Sequence, residues 1–392
     1  MKLRATIDFS RWLLGLVYLK LLDFFNDDKC LIEITHPDFK NTFHGYYDVS
    51  FFNPDNNDIV IYHANDANIY EVPNHNVPTF VIVYDWKANV ELYRSEPIYS
   101  WNWQQGCRAM WLSGDEFAYN SWNEVEQNFE MRIVRMTSFK EIALNHPIQA
   151  IGKYFFTSID YTNLAHYRPD YGYFNKRDTN INAGLIFFDK DGSLIKEITL
   201  KQIAKDIRSR NNQLAECLRV NHILVSPSGR YVVFLVRYSM GGRNITDLYK
   251  SDANGYFELI LPNCGLSHYC FLGEYQLVAS LRYRKLFGWA QVDTCNGEIS
   301  KFTKCVDGHP TLSSEECVVT DTSPSKLKIR TLYSMDSSFN KKKIFLRYAE
   351  DWKLSGQTRV DMHPTVSTNG KLIQVDLVKN AKRFIGVIDS NK

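Results

Sequence analysis

The 392-residue chain lacks most of the features that would mark a special environment or partner. Its eight cysteines (Cys30, Cys107, Cys217, Cys264, Cys270, Cys295, Cys305 and Cys317) form no CxxC pair and are not densely spaced. That excludes a cysteine-based zinc site and a small disulfide-stapled fold. Cys264 and Cys270, or Cys295 and Cys305, are near in sequence, but the spacing as a whole reads as reduced, mostly buried thiols in a reducing compartment. An excess of one charge is also missing. Lys and Arg number 46 against 44 Asp and Glu, a net charge of +2, so there is no electrostatic footprint for nucleic acid and an anionic ligand must be held locally. No long hydrophobic run is present either. The stretch from Trp12 to Leu19 is broken by Lys20 and Asp23, and no small-residue cleavage site follows, so neither a membrane span nor a signal peptide fits.

Residues 2–25 instead predict a helix, because Leu14, Val17, Tyr18, Leu21 and Leu22 recur with the helical period. Two roles are open for it. It could pack on the body of the protein, or it could lie on a membrane surface, since Trp12, Phe24 and Phe25 accompany Lys2, Arg4, Arg11 and Lys20. The domain division expected is a helix over 1–27 and one large domain over 28–392.

What the chain does have is apolar residues at 44% and aromatics at 14%, with 23 Tyr and 24 Phe, a composition that favours strands. Past residue 28 short strand-like runs alternate with Asn, Asp, Gly and Ser. One unit recurs: a strand, a polar turn and a second apolar strand, as in HILVSPSGRYVVFL from His222. It returns from His268, His309 and His363, and in weaker form from Tyr47, from Cys107 and near Tyr154 to Tyr161. The mean spacing of about 52 residues suits propeller blades with insertions. Too little chain follows His363 for four strands, so CLIEITH, Cys30 to His36, is expected to complete the last blade and leave no open sheet edge. The prediction is an all-β, seven-bladed β-propeller with an N-terminal helix and N- and C-terminal strands closing the last blade. A helical insertion is expected from Leu200 to Leu218.

In such a fold, residues at one register of the repeat converge in space. Four of the ten histidines, His222, His268, His309 and His363, open their units. Imidazole ligates divalent transition metals and titrates near neutrality. Arg359, Asp361 and His363 are spaced by two, so if the segment is extended they point to the same side, as do Asp307 and His309. Asp361 and His363 therefore offer mixed oxygen and nitrogen ligands, with Arg359 able to meet a carboxylate. The alternative is a structural hydrogen-bond network tying blades together. A second cluster, WNWQQGCR from Trp101, supplies Trp103, Gln104, Gln105 and Arg108 as candidate glycan contacts, unless its tryptophans are blade core. Tyr171, in RPDYGY, and His44, in HGYYD, sit on polar-aromatic loops of the kind that line binding sites.

Taken in order, WNWQQGCRAMWL, YTNLAHYRPDYGY, NHILVSPSG, LSHYCF, DGHPTLS with VVTDTSP, and RVDMHPTVSTNG resemble bacterial seven-bladed propellers related to oligogalacturonate lyases, over a range from about Phe43 to the C-terminus. Such lyases cleave uronate oligomers by β-elimination with a divalent metal, typically manganese. The resemblance implies that His309 and His363 are metal ligands, with His268 a possible third. Asp361 stands where the lyases have another histidine, and Gln357 is the nearest counterpart of their glutamine ligand. Relatives of this type accompany surface-polysaccharide genes. The expectation is a metal-dependent carbohydrate-active enzyme, with His222 as base and Arg219 and Arg359 neutralising a uronate carboxylate. It would work in the cytoplasm, with possible peripheral contact at the inner membrane through residues 2–25. The alternatives are a non-catalytic glycan-binding or assembly protein, and a hydrolase or transferase using the same channel.

Overall fold

A computed structural model of the chain describes residues 2–23, 31–74, 76–173, 183–314 and 317–391. Phe24, Phe25, Cys30 and the side chains of Lys2 and Arg4 lie outside the described residues. The fold is a seven-bladed β-propeller of four-stranded antiparallel sheets. The chain divides into two compact units, residues 1–114 with 306–392, and residues 115–305.

The first unit contains three complete blades. The first blade is Asn41–Phe43, Ile59–Asn65, Phe80–Asp85 and Val90–Arg94, and the sixth is Thr311–Ser314, Cys317–Thr320, Ile329–Asp336 and Lys341–Ala349. In the seventh, Thr365–Val366, Leu372–Lys379 and Lys382–Asp389 are joined by Leu31–Ile34, which pairs antiparallel with the final strand, Leu31 opposite Ile388 and Ile34 opposite Ile385. The sequence-predicted closure is therefore present. The strand Ile59–Asn65 is buried on both faces, which is why it opens with the apolar run IVIY and why its His63 and Asn65 are buried too. Two buried apolar clusters stand out among the described residues of the unit. One joins Phe51, Tyr62 and Ile82 to Ile385 and Val387, and the other joins Leu332 and Phe345 to Met362, Val375 and Phe384. Outer strands such as KKKIFLRYA at Lys341–Ala349 begin with lysines, which discourage pairing with another chain.

The second unit holds the third to fifth blades. They begin at Ala150–Ile151, Glu216–Val225 and His268–Gly273 and end at Leu194–Thr199, Phe257–Leu261 and Ile299–Lys304. The boundary between units falls within the second blade, Met110–Trp111 through Lys140–Leu144. The repeat grammar is visible in its turns. Gly229 closes Ser226–Gly229 with its N–H on the Ser226 carbonyl at 2.8 Å and a φ of +72°. Gly370 does the same for Ser367–Gly370, also at 2.8 Å and +72°, a conformation that favours glycine.

The helical insertion is shorter than expected. It spans Leu200–Asn211, opened by a Thr199–Gln202 capping box and stopped by Asn212 in the left-handed region, after which the chain turns into a strand at Glu216. A short helix at Tyr161–Tyr167, capped by Asp160, was not anticipated. Of the seven described cysteines, Cys107, Cys264 and Cys270 are buried, whereas Cys217 and Cys295 are exposed and Cys305 and Cys317 are intermediate. This corrects the expectation of mostly buried thiols: Cys295, for example, sits in a hairpin turn held by Asp293.

The N-terminal helix Lys2–Asp23 belongs to the first unit. Phe9 meets Trp352 edge-on at 5.6 Å between ring centroids, and Gly15 lies so near the Leu327 carbonyl that a Cβ would not fit. Among the described residues no helix is long and apolar enough to cross a membrane.

Candidate functional site

In the first unit His309, Asp361 and His363 come together, with one ligand atom from each lying within 4.8 Å of the others, all three buried. The two imidazole rings stand edge to face, centroids 4.4 Å apart. His309 and His363 each precede the first strand of a blade by two residues, so the repeat itself delivers them to equivalent places.

Strand register explains what holds His309. Thr311 pairs with Val319, and two residues further out His309 faces Asp321. Asp321 accepts from the His309 ring at Nδ1 (2.9 Å) and from the backbone N–H groups of His309 (2.8 Å) and Met362 (3.2 Å). With Nδ1 donating to a carboxylate, the lone pair of Nε2 is left for the cluster, the arrangement that orients metal-ligating histidines. Burial alone would lower the His309 pKa, but the Asp321 carboxylate, reinforced by Asp361 and Asp307, raises it above the usual value.

Asp361 is gripped by two guanidinium groups, Arg330 at 2.8 Å on Oδ1 and Arg359 at 2.7 Å on Oδ2. Burial works against its ionisation, yet Arg359 and Arg330 hold its carboxyl well below the ordinary range. It is a carboxylate throughout the physiological pH range. Arg330 also meets the buried Glu350 at 3.3 Å. Tyr46 and Tyr47 wall the histidines, with ring centroids 4.7 Å from His363 and 5.4 Å from His309 respectively.

The same register rule places Asp376 opposite His363, since Thr365 pairs with Gln374. Asp376 turns elsewhere. It accepts from the backbone N–H groups of His44 (2.9 Å) and Gly45 (3.1 Å), which fixes the loop that carries Tyr46 and Tyr47. Burial pushes its pKa up to about 7. His44 is itself buried between two carbonyls, Val49 at 3.0 Å and Ile61 at 3.3 Å, and burial lowers its pKa to about 4. It anchors that loop as a neutral imidazole.

The remaining first-unit candidates are interior. Trp103 is 2% exposed, donates its indole N–H to the Glu71 carbonyl at 3.0 Å and has Arg383 stacked 3.9 Å from its ring centre. Arg108 is paired through both terminal nitrogens with Asp48, at 2.7 and 3.2 Å. Gln104 donates to the Arg359 carbonyl at 3.0 Å, and the amide oxygens of Gln104, Gln105 and Gln357 are buried with no hydrogen-bond partner among the described residues. The run from Trp101 is thus packed wall, and Trp103 offers no open aromatic face. His63, missed from the sequence, holds this run in place. Its ring accepts from the Cys107 N–H at 3.1 Å and bonds the His44 carbonyl at 2.9 Å.

In the second unit His222 and His268 form another edge-to-face pair, centroids 5.3 Å apart, with Tyr171 5.8 Å from His222. The Tyr269 hydroxyl donates to the His222 carbonyl. His268, expected as a possible metal ligand, is not part of the His309–Asp361–His363 group. Arg219 lies directly opposite Arg237 on the neighbouring strand, with Arg168 close enough to act on it. Burial first, then repulsion from Arg237 and Arg168, lowers the Arg219 pKa to about 10. Like charges facing each other across a strand pair are unfavourable without an anion between them.

Three of the fifteen non-glycine residues with positive φ among those described are candidate site residues. Arg108, His222 and His363 have φ of +60°, +52° and +44°. For side chains other than glycine this region is sparsely populated, and it recurs where a function fixes the side-chain direction.

The donor set fits a divalent cation. Two imidazole nitrogens and a carboxylate suit a borderline transition metal, His309 has its orienting carboxylate, and each Asp361 oxygen keeps a second lone pair beside its arginine.

No protein-family profile matches the sequence, and no curated protein matches it. Among solved structures, an oligogalacturonate lyase in complex with manganese is similar with a TM-score of 0.62 at 12% identity, over 92% of this chain and 92% of that one. The β-propeller domain of the trilobed protease from Pyrococcus furiosus, described as having an open velcro topology, gives 0.48 at 10% identity, over 85% and 90%. An oligogalacturonate lyase from Vibrio parahaemolyticus gives 0.41 at 10% identity, over 93% and 97%. At such identities the likeness is one of fold.

Proposed function

We propose that the protein is a metal-dependent carbohydrate-active enzyme that cleaves a uronate-containing glycan by β-elimination. The observation that carries this reading is the buried His309–Asp361–His363 group with Asp321 behind His309. The solved lyase of similar fold is in complex with manganese, which makes Mn2+ the first cation to test. A divalent ion at these ligands supplies Lewis-acid stabilisation of negative charge on a carboxylate or enolate oxygen. Arg359, beside Asp361, is the cationic partner of the uronate carboxylate at the histidines, and within the second unit the opposed Arg219 and Arg237 favour an anion. His222 takes the proton from C5 of the sugar, the electron pair forms the C4–C5 double bond, and the glycosidic oxygen leaves from C4 with a proton from water. Tyr171, beside His222, supports the sugar ring. The reaction releases an unsaturated uronate end, its carboxylate retained and conjugated to the new double bond, detectable by its ultraviolet absorbance.

One observation favours a second reading, a glycan-binding or assembly protein without chemistry. Arg330 and Arg359 already neutralise Asp361, a network that is electrostatically complete without a cation. The test is metal content by plasma mass spectrometry on the full chain incubated with Mn2+ and desalted, beside His309→Ala and His363→Ala. About one ion per chain, lost in both variants, with unsaturated product from uronate oligosaccharides, is the expected result. A metal-free, fully folded protein that binds these oligosaccharides without cleaving them establishes the second reading.

A further inference from the structure

The N-terminal helix leaves an apolar face uncovered. Asp8, Trp12, Gly15, Leu16 and Leu19 form its less exposed side, the side on which Gly15 abuts Leu327. On the opposite side Ile7, Leu13, Leu14, Val17, Tyr18 and Leu21 are 43–60% exposed. These positions recur at the spacing of one helix face. Solitary exposed apolar residues need no explanation, but six of them on one side of a single helix, interrupted only by the uncharged Thr6 and Ser10, do.

Charge decides what covers it. At 100° per residue Arg11, four residues after Ile7, falls on one margin of the apolar face, and Lys20, seven after Leu13, falls on the other. Both are exposed. The acidic Asp8 is turned to the packed side, 4.0 Å from Arg11, so the apolar face and its margins carry positive charge alone among the described side chains. The helix sequence has four basic residues, Lys2, Arg4, Arg11 and Lys20, against Asp8 and Asp23. A second copy docking through the same face would bring these cations together with no acid to receive them. An anionic bilayer surface matches both features: the leucines enter the boundary of the acyl chains while the margins reach lipid phosphates.

We propose that this helix seats the protein on an anionic lipid bilayer, lying in the plane of the surface and not crossing it. The structural features are one helix face and its two charged margins, so the inference is independent of the chemistry at the histidines.

The test is co-sedimentation of the full chain with phosphatidylcholine vesicles, with and without about a third phosphatidylglycerol, at low and high salt. Binding to the anionic vesicles, weakened by salt, is expected. Leu14→Asp/Leu21→Asp should lower the partition coefficient at least about tenfold, because each change removes a large apolar side chain from the buried face. Arg11→Gln/Lys20→Gln should lower it severalfold and flatten the salt dependence, and this pair keeps the test decisive if the aspartate variant fails to fold. Absence of vesicle binding overturns the proposal, as does binding that neither pair alters. Concentration-dependent self-association that Leu14→Asp/Leu21→Asp abolishes, and that anionic vesicles do not compete away, assigns the face to a second copy instead.

Discussion

Asp321 receives the His309 ring at Nδ1 and, through its other oxygen, the backbone N–H of Met362, 2.9 and 3.2 Å away. One carboxylate thereby sets the tautomer of the first histidine and the backbone position of the segment that carries Asp361 and His363. Asp321→Asn keeps the size but loses the charge and one acceptor. Divalent-metal affinity, measured by competition with a chromogenic chelator, is expected to fall about 10- to 100-fold with the fold retained. An unchanged affinity would remove Asp321 from the orienting role.

His222→Ala is expected to lower turnover on a uronate oligosaccharide by about a hundredfold or more while leaving substrate binding largely intact, the usual scale for loss of a general base. Because position 222 has φ of +52°, His222→Asn, which tolerates that backbone, separates chemistry from strain. If either variant turns over at the wild-type rate, another residue is the base.

Asp376 gives stability a defined pH dependence. Its pKa is raised to about 7 when folded, against the ordinary value of 3.8. The folded state therefore binds the extra proton between those limits, and the associated stabilisation is full below about pH 4 and lost as pH rises through 7. The stability advantage of the wild type over Asp376→Asn, taken from urea midpoints, should shrink across this window by up to about 1.4 kcal/mol per pH unit. A difference that is flat from pH 4 to 7 would show that Asp376 stays ionised.

Arg108→Ala leaves the Asp48 carboxylate buried without its guanidinium, for which a loss of about 3–5 kcal/mol is expected. Arg108→Ala/Asp48→Ala should recover part of it, as seen by denaturant unfolding. If Arg108→Ala instead weakens ligand binding at unchanged stability, the residue contacts ligand and not the loop.

Most of the architecture is written in short-range patterns. The strand–turn–strand unit, its glycine turns at Gly229 and Gly370, and the shortage of chain after His363 lead to seven blades and to closure by Leu31–Ile34. The recurrence of histidine at the head of the unit likewise leads to His309 and His363. Less legible were residues whose roles depend on register. Asp321 and Asp376 face His309 and His363 only once each inner hairpin's pairing is known, and nothing in VVTDT or QVDL distinguishes one aspartate's use from the other's. Arg330 reaches Asp361, in the loop before Thr365–Val366, from the strand Ile329–Asp336, and no spacing rule connects them. The tryptophan-rich run showed a different ambiguity. Aromatic, amide and guanidinium groups suit a sugar surface, but the same groups satisfy one another in a packed wall, and only the contacts to Glu71, Asp48 and Arg383 decide between these uses.

The first unit is assembled from both ends of the chain, residues 1–114 and 306–392, whereas the second is a continuous segment, 115–305. On the ribosome, therefore, the second unit has its entire sequence available before the first does. Leu31–Ile34 must wait for Ile385–Ile388, more than 350 residues further along the chain, to obtain its strand partner. Until then Ile34 and the apolar side chains around it lack part of their cover, an interval in which a nascent chain is open to aggregation and to chaperones. The candidate site inherits the same delay: His309, Asp361 and His363 all lie in the late segment, so the group is assembled only after the whole of the second unit has been made.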